Sequence, residues 1–421
     1  MNAPFDGVQV PASRERVPLA LAFILVTVVV DSLGTTIIGP VMPTLLKSLT
    51  GGAMAQMSTV FGAITMTLAS MQLVAGPVQG ALSDCYGRRP VILVSTVGWT
   101  IYFVILALAP NLAWLFVGAV VAGGAAGSIN AAFAYVADIS QPDERAARFG
   151  LVTAAVSAGA ATGSLLGGVI GEFDPRAPFW AAAGLCTINF LYGLFVLPES
   201  LRAEHRAPFA WRSVHPIGAI LGVWRDYPIL KRWQGGSFLM NFGVTGVNSI
   251  FFLYVTFRFG WTPQVIGFYA TFVMLSSLAV QSGMVARVIK VFGERLTLLG
   301  GIAVQVVGMT ASAFATKGWM FTASVFVVVL GGVSGPARLS ILNRIVGPSN
   351  RGRLSGAERS VVSLTGILAP GAFATLFAAV VGAGPESLVA GAPLLICAGL
   401  MTLGLAVTAS SFDRTSTVTT E

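Results

Sequence analysis

One carboxylate lies deep inside a long apolar stretch of this chain. Asp31 stands in Val28-Val-Val-Asp31-Ser-Leu-Gly, farther from the end of such a stretch than any other carboxylate. An ionised Asp at the centre of a lipid bilayer costs about 2.5–3.5 kcal/mol, so the neutral, protonated form is favoured there. Asp31 therefore predicts a proton-coupling site or a site for a substrate cation. The alternative is a structural hydrogen bond to a neighbouring helix.

A second group of residues with chemical potential stands at the ends of apolar stretches. It comprises Gly80, Asp84, Gly87, Arg88, Arg89 and Arg145. Gly80 permits close backbone approach and Gly87 a tight turn. Arg88 can pair with Asp84 four residues earlier, and Asp84 can also face the N-terminus of another helix. A contact that forms in one state and breaks in another would bias a conformational equilibrium. The alternative is an ordinary loop that only sets membrane topology.

A stripe of small residues follows in the fifth apolar stretch. Its members are spaced four apart, with one adjacent residue: Gly159, Gly163, Gly167, Gly168 and Gly171. Small residues at this spacing line one face of a helix and let another backbone pack closely. We interpret the stripe as a seam at which two halves of the molecule slide, with plain helix packing as the alternative.

Polar side chains inside the other apolar stretches are few. The candidates to line a cavity are Gln72, Asn130, Asn241, Asn248, Gln281, Gln305 and Arg338. Asn241 and Asn248 are seven apart and share a helix face, with Phe242, Phe251 and Phe252 nearby. Such a mixture predicts a cavity for a bulky lipophilic ligand. Each amide can instead bond a neighbouring helix, and Arg338 can be either a cytoplasmic anchor or a cavity residue.

The elements that must position these residues are membrane spans. The chain is 55% hydrophobic and 10% charged, with a mean hydropathy of +0.81. A transmembrane helix needs about 20 apolar residues. The sequence predicts an all-α membrane protein with twelve transmembrane helices in two pseudo-symmetric halves of six. The predicted spans are 18–42, 57–80, 90–109, 112–137, 148–171, 177–197, 233–256, 264–286, 296–314, 319–341, 359–381 and 388–409.

Five segments follow from these spans. They are a cytoplasmic N-terminal tail (1–17), a first six-helix half (18–197), a cytoplasmic linker (198–232), a second half (233–409) and a cytoplasmic C-terminal tail (410–421). The halves resemble distant repeats, because Gly293 and Arg295 stand between spans eight and nine where Gly87 and Arg89 stand between spans two and three. Paired halves around a midplane cavity suit alternating access.

The distribution of charge predicts the orientation. All but four of the 25 Lys and Arg residues fall on one side when both termini are cytoplasmic; the four are Lys47, Arg176, Arg258 and Lys317. This bias is typical of an inner (plasma) membrane protein. We therefore expect the basic residues to lie near membrane lipids and not to bind nucleic acid. Two His residues and three dispersed Cys residues indicate no metal site, and we expect neither a cofactor nor an enzymatic activity. A monomer is expected to suffice.

Several motifs together resemble one family. They are Asp31-Ser-Leu-Gly with Pro40-Val-Met-Pro43, the Gly80–Pro90 segment, Val136-Ala-Asp138 through Phe149-Gly150, Gly163–Phe179, Phe259-Gly-Trp261, and Ser355-Gly356 with Ser363-Leu-Thr365. The chain resembles a drug:proton antiporter of the major facilitator superfamily, in its tetracycline-efflux branch. The resemblance implies the major facilitator fold and export of a lipophilic small molecule in exchange for protons. Tyr102 and Val304-Gln305 stand where tetracycline exporters carry carboxylates, so tetracycline itself does not follow.

Two other functions stay open at this point. One is a facilitator or importer of a small metabolite that needs no proton site. The other is a membrane sensor that transports nothing, which large soluble domains would favour, although the predicted tails are short.

Overall fold

A computed structural model describes residues 16–141, 143–201, 204, 206, 229–346 and 351–418 of the chain. Most of the predicted linker, including His205 and His215, and the outer parts of both predicted tails lie outside these residues. The described part of the first half consists of seven helices joined by short connections. They are α1 (Arg16–Thr50), α2 (Met54–Tyr86), α3 (Arg88–Leu108), α4 (Leu112–Ala125), α5 (Ser128–Ile139), α6 (Arg145–Phe173) and α7 (Ala177–Val196).

The described part of the second half repeats this arrangement. Its helices are α8 (Ile229–Phe259), α9 (Pro263–Ala279), α10 (Val285–Phe314), α11 (Gly318–Leu330), α12 (Ser334–Val346), α13 (Arg351–Val381) and α14 (Ala392–Val418). A π-turn (Val280–Met284) joins α9 to α10, and a 3₁₀ turn (Gly331–Val333) joins α11 to α12. The described residues contain helices and no strand, which confirms the predicted fold class.

Eleven helical segments of the described residues are long and apolar enough to cross a membrane. One of them, Pro263–Phe314, has 52 residues. At 1.5 Å per residue it would reach about 78 Å, more than twice the roughly 30 Å of a hydrocarbon core. Its backbone breaks at Gly293, where φ is 76° and ψ is 166°. The predicted count of twelve spans stays a prediction, because this segment has the length of two crossings.

The turns at Gly87 and Gly293 support the predicted repeat. Gly87 adopts φ 110° and ψ 165°, and Gly293 adopts nearly the same ψ with a positive φ of 76°. Only glycine takes up such backbone angles without strain. The predicted loop at 80–90 is wrong in one respect. Helix α2 runs to Tyr86 and α3 begins at Arg88, so Gly87 alone forms the connection.

The bundle has two ends that the loops define. The Asp84 end carries the α2–α3 turn, the start of α6 and the break at Gly293 within α10. The opposite end, called here the far end, carries the α1–α2 and α8–α9 connections. Aromatic rings from α8, α9, α11 and α13 pack together toward the far end of the second half, where the Tyr254 and Phe321 rings are 6.0 Å apart.

Candidate functional site

Asp31 lies in the interior of the first half. Its side chain is 2% exposed, and neither carboxyl oxygen has a hydrogen bond of normal geometry among the described residues. The Ser128 hydroxyl of α5 and the Cys186 thiol of α7 are near enough to interact with it. Burying an unpaired carboxylate is expensive, whereas a neutral carboxyl group costs much less. The surroundings therefore favour a carboxyl group that holds a proton.

A second buried polar pair lies one helical turn along α1 from Asp31. The Thr27 hydroxyl donates to the Asn189 side-chain oxygen of α7 at 3.2 Å. The Asn189 amide nitrogen is buried without a hydrogen-bond partner among the described residues. This contact was not predicted from the sequence. The signal that could have indicated it is the presence of two polar residues, Thr27 and Asn189, within apolar stretches.

The residues predicted around Gly87 lie close together in the structure. The Arg88 guanidinium contacts Asp84 (2.5 Å), Ser83 (3.1 Å) and Asp138 at the end of α5 (3.2 Å). The Arg89 guanidinium donates to the Leu194 carbonyl of α7 at 2.6 Å. Arg88 therefore links α2 to α5 by two ion pairs at the Asp84 end.

Two residues of the predicted group, Arg145 and Gly80, lie apart from this network. Arg145 is exposed at the start of α6, and the ion pair described there joins Glu144 to Arg148 at 2.8 Å. The partner that the α5–α6 segment supplies to Arg88 is Asp138, because a cation such as Arg145 would repel the guanidinium. Gly80 has no heavy atom within 4 Å of the position of a Cβ, so the close approach expected of it is absent from this conformation.

Glu199 completes the network and was missed by the sequence analysis. Its carboxylate accepts hydrogen bonds from the backbone N–H groups of Arg88 (2.8 Å) and Arg89 (3.3 Å). These amides begin helix α3, where an anion satisfies donors that have no partner within the helix. A Cβ at Gly87 would collide with the Glu199 carboxylate. The available signal was one carboxylate directly after the sixth span, at the same membrane end as the Gly-Arg-Arg turn.

The glycine stripe of α6 contacts α1 of the same half. At four of its positions the helices approach so closely that a Cβ would collide with the residue of α1 opposite it. The four contacts are Gly159 with Val29, Gly163 with Leu33, Gly167 with Ile37 and Gly171 with Val41. The predicted seam between halves is therefore wrong for these four glycines. Gly168 alone of the five faces the second half, against Pro263 and Gly267.

The second half encloses two adjoining cavities. One measures about 340 Å³ and has an aromatic and aliphatic wall that includes Phe251, Tyr269 and Phe321. The other measures about 160 Å³. Both are lined by Val244 and Gln305. Four predicted cavity residues line one or both of them: Asn241, Asn248, Gln305 and Arg338.

Three predicted cavity residues lie elsewhere. Gln72 and Gln281 are exposed. Asn130 lines a separate cavity of about 220 Å³ beside Gly80 and Asp84, and its side-chain oxygen accepts a hydrogen bond from Arg359 of the second half at 3.2 Å. The position of a polar residue along an apolar stretch does not show whether its side chain lines a cavity or faces the outside of the bundle. The sequence therefore could not distinguish these three residues from the other candidates.

Arg338 reaches the smaller cavity and forms an ion pair there. Its guanidinium contacts the Glu358 carboxylate at 2.9 Å and donates to the Ser237 hydroxyl. The Arg338 and Glu358 side chains are 24% and 14% exposed. The second Glu358 oxygen is buried without a hydrogen-bond partner among the described residues. Of the two alternatives for Arg338, the structure favours the cavity residue.

The two halves pack tightly at the far end. The Ser58 hydroxyl of α2 donates to the Ala374 carbonyl of α13 at 2.8 Å, and Thr271 of α9 donates to the Ala161 carbonyl of α6 at 3.1 Å. The Glu172 carboxylate accepts the backbone N–H of Gln264 at 3.1 Å. Toward the Asp84 end of α2, Gly76 and Gly80 instead border open space. The arrangement is closed at the far end and more open at the Asp84 end.

Comparisons with known proteins agree with this architecture. The family model of the Major Facilitator Superfamily matches residues 24–370. The chain is 35% identical to the tetracycline resistance protein, class C, of Escherichia coli over 363 residues, 86% of this chain and 90% of that protein. It is 26% identical to multidrug resistance protein 2 of Bacillus subtilis (strain 168) over 371 residues, 84% of this chain and 88% of that protein.

Solved structures share the fold. A bacterial homolog of the human lysosomal transporter Spinster, in an inward-facing and occupied conformation, superposes with a TM-score of 0.77 at 15% identity, covering 96% of this chain and 98% of that one. The nucleoside transporter NupG (D323A mutant) superposes with a TM-score of 0.75 at 12% identity, covering 94% and 100%. At such identities the likeness concerns the fold alone.

The family follows from the extent of these matches. The family model covers most of the chain, and the class C relative aligns with nearly all of it. The chain is accordingly a multi-pass membrane transporter and not an enzyme. It belongs to the major facilitator superfamily and, within it, to the tetracycline-efflux-like branch of drug:proton antiporters.

Proposed function

We propose that this protein exports a lipophilic small molecule across the inner membrane by alternating access, in exchange for protons. The buried carboxyl group of Asp31 carries this proposal, because no hydrogen bond of normal geometry among the described residues holds it in one protonation state. The tetracycline and multidrug resistance proteins among the relatives support export.

The proposed orientation places the Asp84 end in the cytoplasm. Lys and Arg residues concentrate there, whereas Lys47, Arg176, Arg258 and Lys317 lie at the far end. The structure would then represent an inward-open state in which the far-end contacts exclude the exterior. Each substrate cavity is enclosed by one chain, so a monomer would suffice for transport.

The proposed substrate is a lipophilic compound with an aromatic surface and a few hydrogen-bonding groups. The larger cavity offers rings at Phe251, Tyr269 and Phe321 for stacking, and the amides of Asn248 and Gln305 for orientation. Tetracycline is the first compound to test because of the named relatives, but the proposal concerns the wider class.

The decisive experiment measures proton movement during transport in proteoliposomes. The purified protein is reconstituted with a pH-sensitive dye, and tetracycline and a panel of lipophilic cations are added in turn. We expect proton movement that depends on one of these compounds and disappears in Asp31→Asn, which keeps the size of the side chain. The control Asp143→Asn removes an exposed carboxylate at the Asp84 end and should move protons as the wild type does.

The other outcomes reject the proposal in different ways. Compound flux without proton movement in the wild type would show a facilitator. Undiminished proton-coupled flux in Asp31→Asn would remove Asp31 from the coupling mechanism. Binding without flux for every compound of the panel would favour a sensor.

A further inference from the structure

The Phe252 side chain of the second half rests on a glycine of the first half. A Cβ at Gly39 of α1 would collide with the outer edge of the Phe252 ring, which projects from α8. Gly39 is buried and Phe252 is partly buried. Glycine permits such a close approach because it has no side chain. A ring of one half therefore lies directly against the backbone of the other.

The same ring forms part of the wall of the larger substrate cavity. The residues that line this cavity of about 340 Å³ belong to α8, α9, α10, α11 and α14 of the second half, and Phe252 is one of them. Its neighbour Phe251 lines the cavity too but packs against rings of its own half, with Tyr269 at 5.4 Å and Phe321 at 6.3 Å. Phe252 thus connects the cavity wall to α1, whereas Phe251 connects it to other rings of the second half.

Helix α1 is weakened where the ring rests on it. Pro40 and Pro43 lie inside this helix. A proline has no N–H to bond the carbonyl four residues earlier, so the carbonyls of Thr36 and Gly39 lose their usual helical partners. Helices bend most readily at prolines. The ring therefore contacts α1 at the part of the helix that yields most easily.

The position of Gly39 relates this contact to the ends of the bundle. Gly39 follows Asp31 by eight residues, about 12 Å along the helix, on the way to the far end. The contact with Phe252 crosses between the halves on the side that is closed in this structure. It must change when the far end opens.

We propose that Phe252 transmits substrate binding from the larger cavity to α1. A substrate that fills the cavity presses the ring against Gly39, α1 bends at its two prolines, and the far end is released. The substrate shifts the equilibrium because it fits better when the ring is displaced. This inference rests on the proposed transport through the larger cavity, and it gives a route from a substrate in the second half to the helix that carries Asp31 in the first.

Spin-label distances in the purified full-length protein test the proposal without a proton gradient. The labels are attached to Lys47→Cys and Lys317→Cys, at exposed positions of the far end on different halves, after Cys85 has been replaced by Ser. Gly39→Ala places a methyl group against the ring. We expect it to shift the distances to longer values in the absence of any substrate.

A second glycine of α1 provides a matched control. A Cβ at Gly34 would also meet the edge of a phenylalanine ring, that of Phe103. Phe103 belongs to α3 of the first half and lies outside the described walls of both substrate cavities. Gly34→Ala makes the same change on the same helix and should keep the wild-type distance distribution.

Two further variants assign the effect to the ring. Gly39→Ala combined with Phe252→Ala gives the new methyl group room and should restore the wild-type distances, which a misfolded α1 would not do. Saturating tetracycline should lengthen the distances in the wild type and in Phe251→Ala. Phe252→Ala should stay closed at saturation, and equilibrium binding measured on the same samples shows that the compound is bound.

Several results would overturn the proposal. Wild-type distances in Gly39→Ala, equal lengthening in Gly34→Ala, or no restoration in the double variant would each show that the ring does not act on α1. Lengthening of Phe252→Ala by tetracycline to the wild-type extent would show that binding reaches the far end by another route. Failure of the proposed function is a separate result, seen as absent proton movement in wild-type proteoliposomes, and the substrate-free distances of Gly39→Ala do not depend on it.

Discussion

The backbone N–H of Arg88 donates to the carboxylate of Glu199 at 2.8 Å, across 111 positions of sequence. The same arginine uses its side chain to hold Asp84 and Asp138. The backbone contact joins α3 to the segment after α7. The side-chain contacts join α3 to α2 through Asp84 and to α5 through Asp138. A movement of α2 away from α3 would therefore break the ion pair with Asp84 and leave the Asp138 and Glu199 contacts in place.

Alanine at the two glycines of this region should have opposite effects on stability. Gly87→Ala forces a side chain into a positive φ and against Glu199, and we expect a loss of about 1–3 kcal/mol. Gly80→Ala lies within α2 beside open space and should gain about 0.5–1 kcal/mol of helix stability. Thermal unfolding of both variants in detergent measures the difference.

Transport by Gly80→Ala separates the two interpretations of this glycine. If α2 approaches another backbone in the opposite state, the variant is stable but turns over slowly. Wild-type turnover together with raised stability would show that Gly80 has no role in the conformational cycle.

Valine substitutions should separate packing within a half from packing between halves. Gly168→Val projects into Pro263 and Gly267 of the second half and should keep the far end from closing. Gly163→Val projects into Leu33 of the same half and should lower stability by about 1–3 kcal/mol through overpacking. Gly184→Val meets open space and serves as the control.

Spin labels report this difference directly. Lys47 and Lys317 are exposed at the far end of the two halves and can carry the labels once Cys85 is replaced by Ser. Gly168→Val should lengthen the distance between labels, while Gly184→Val leaves the wild-type distance distribution. An unchanged distribution in Gly168→Val would mean that this glycine does not control closure.

The sequence predicts some features of this protein well and others poorly, for physical reasons. Span length, charge bias and the Gly-Arg-Arg turn depend on local chemistry, and they indicated the fold and the grouping of Asp84 with Arg88. Contacts between distant segments depend on packing that no spacing shows. Arg176, for example, was a topology signal in the sequence, but it donates to the carbonyls of Ala107 and Ala109 at the end of α3.

The stripe of glycines illustrates the same limit. Spacing of four indicated a close helix contact, and the structure has one. Spacing could not show which helix lies opposite, because a close-packing face is the same whether the partner belongs to the same half or the other. The assignment of Gly159, Gly163, Gly167 and Gly171 to α1 needed three-dimensional information.

Two glutamines provide a test residue and a control for substrate binding. Gln305 lines both substrate cavities, whereas Gln72 is exposed on α2. Gln305→Ala should weaken substrate binding by about tenfold, the effect of losing a buried hydrogen bond. Gln72→Ala should bind normally. Equilibrium binding of the compound identified in proteoliposomes measures both, and equal affinities would exclude Gln305 from the substrate site.

Arg338 and Glu358 should prove coupled in a double-mutant cycle. Either Arg338→Gln or Glu358→Gln leaves an unmatched charge that is less than one quarter exposed, and each should cost about 1–3 kcal/mol. The double variant leaves two neutral amides and should recover most of that loss. Thermal or denaturant unfolding of the four proteins gives the coupling energy.

Substrate affinity in the same four proteins shows whether the pair serves the cavity or only the fold. Arg338 lines the smaller cavity, and the second oxygen of Glu358 lacks a hydrogen-bond partner among the described residues. If the pair contacts substrate, the double variant regains stability but not affinity, because two amides cannot replace the charges. If stability and affinity recover together, the ion pair is structural and the substrate is held by the amides and aromatic rings.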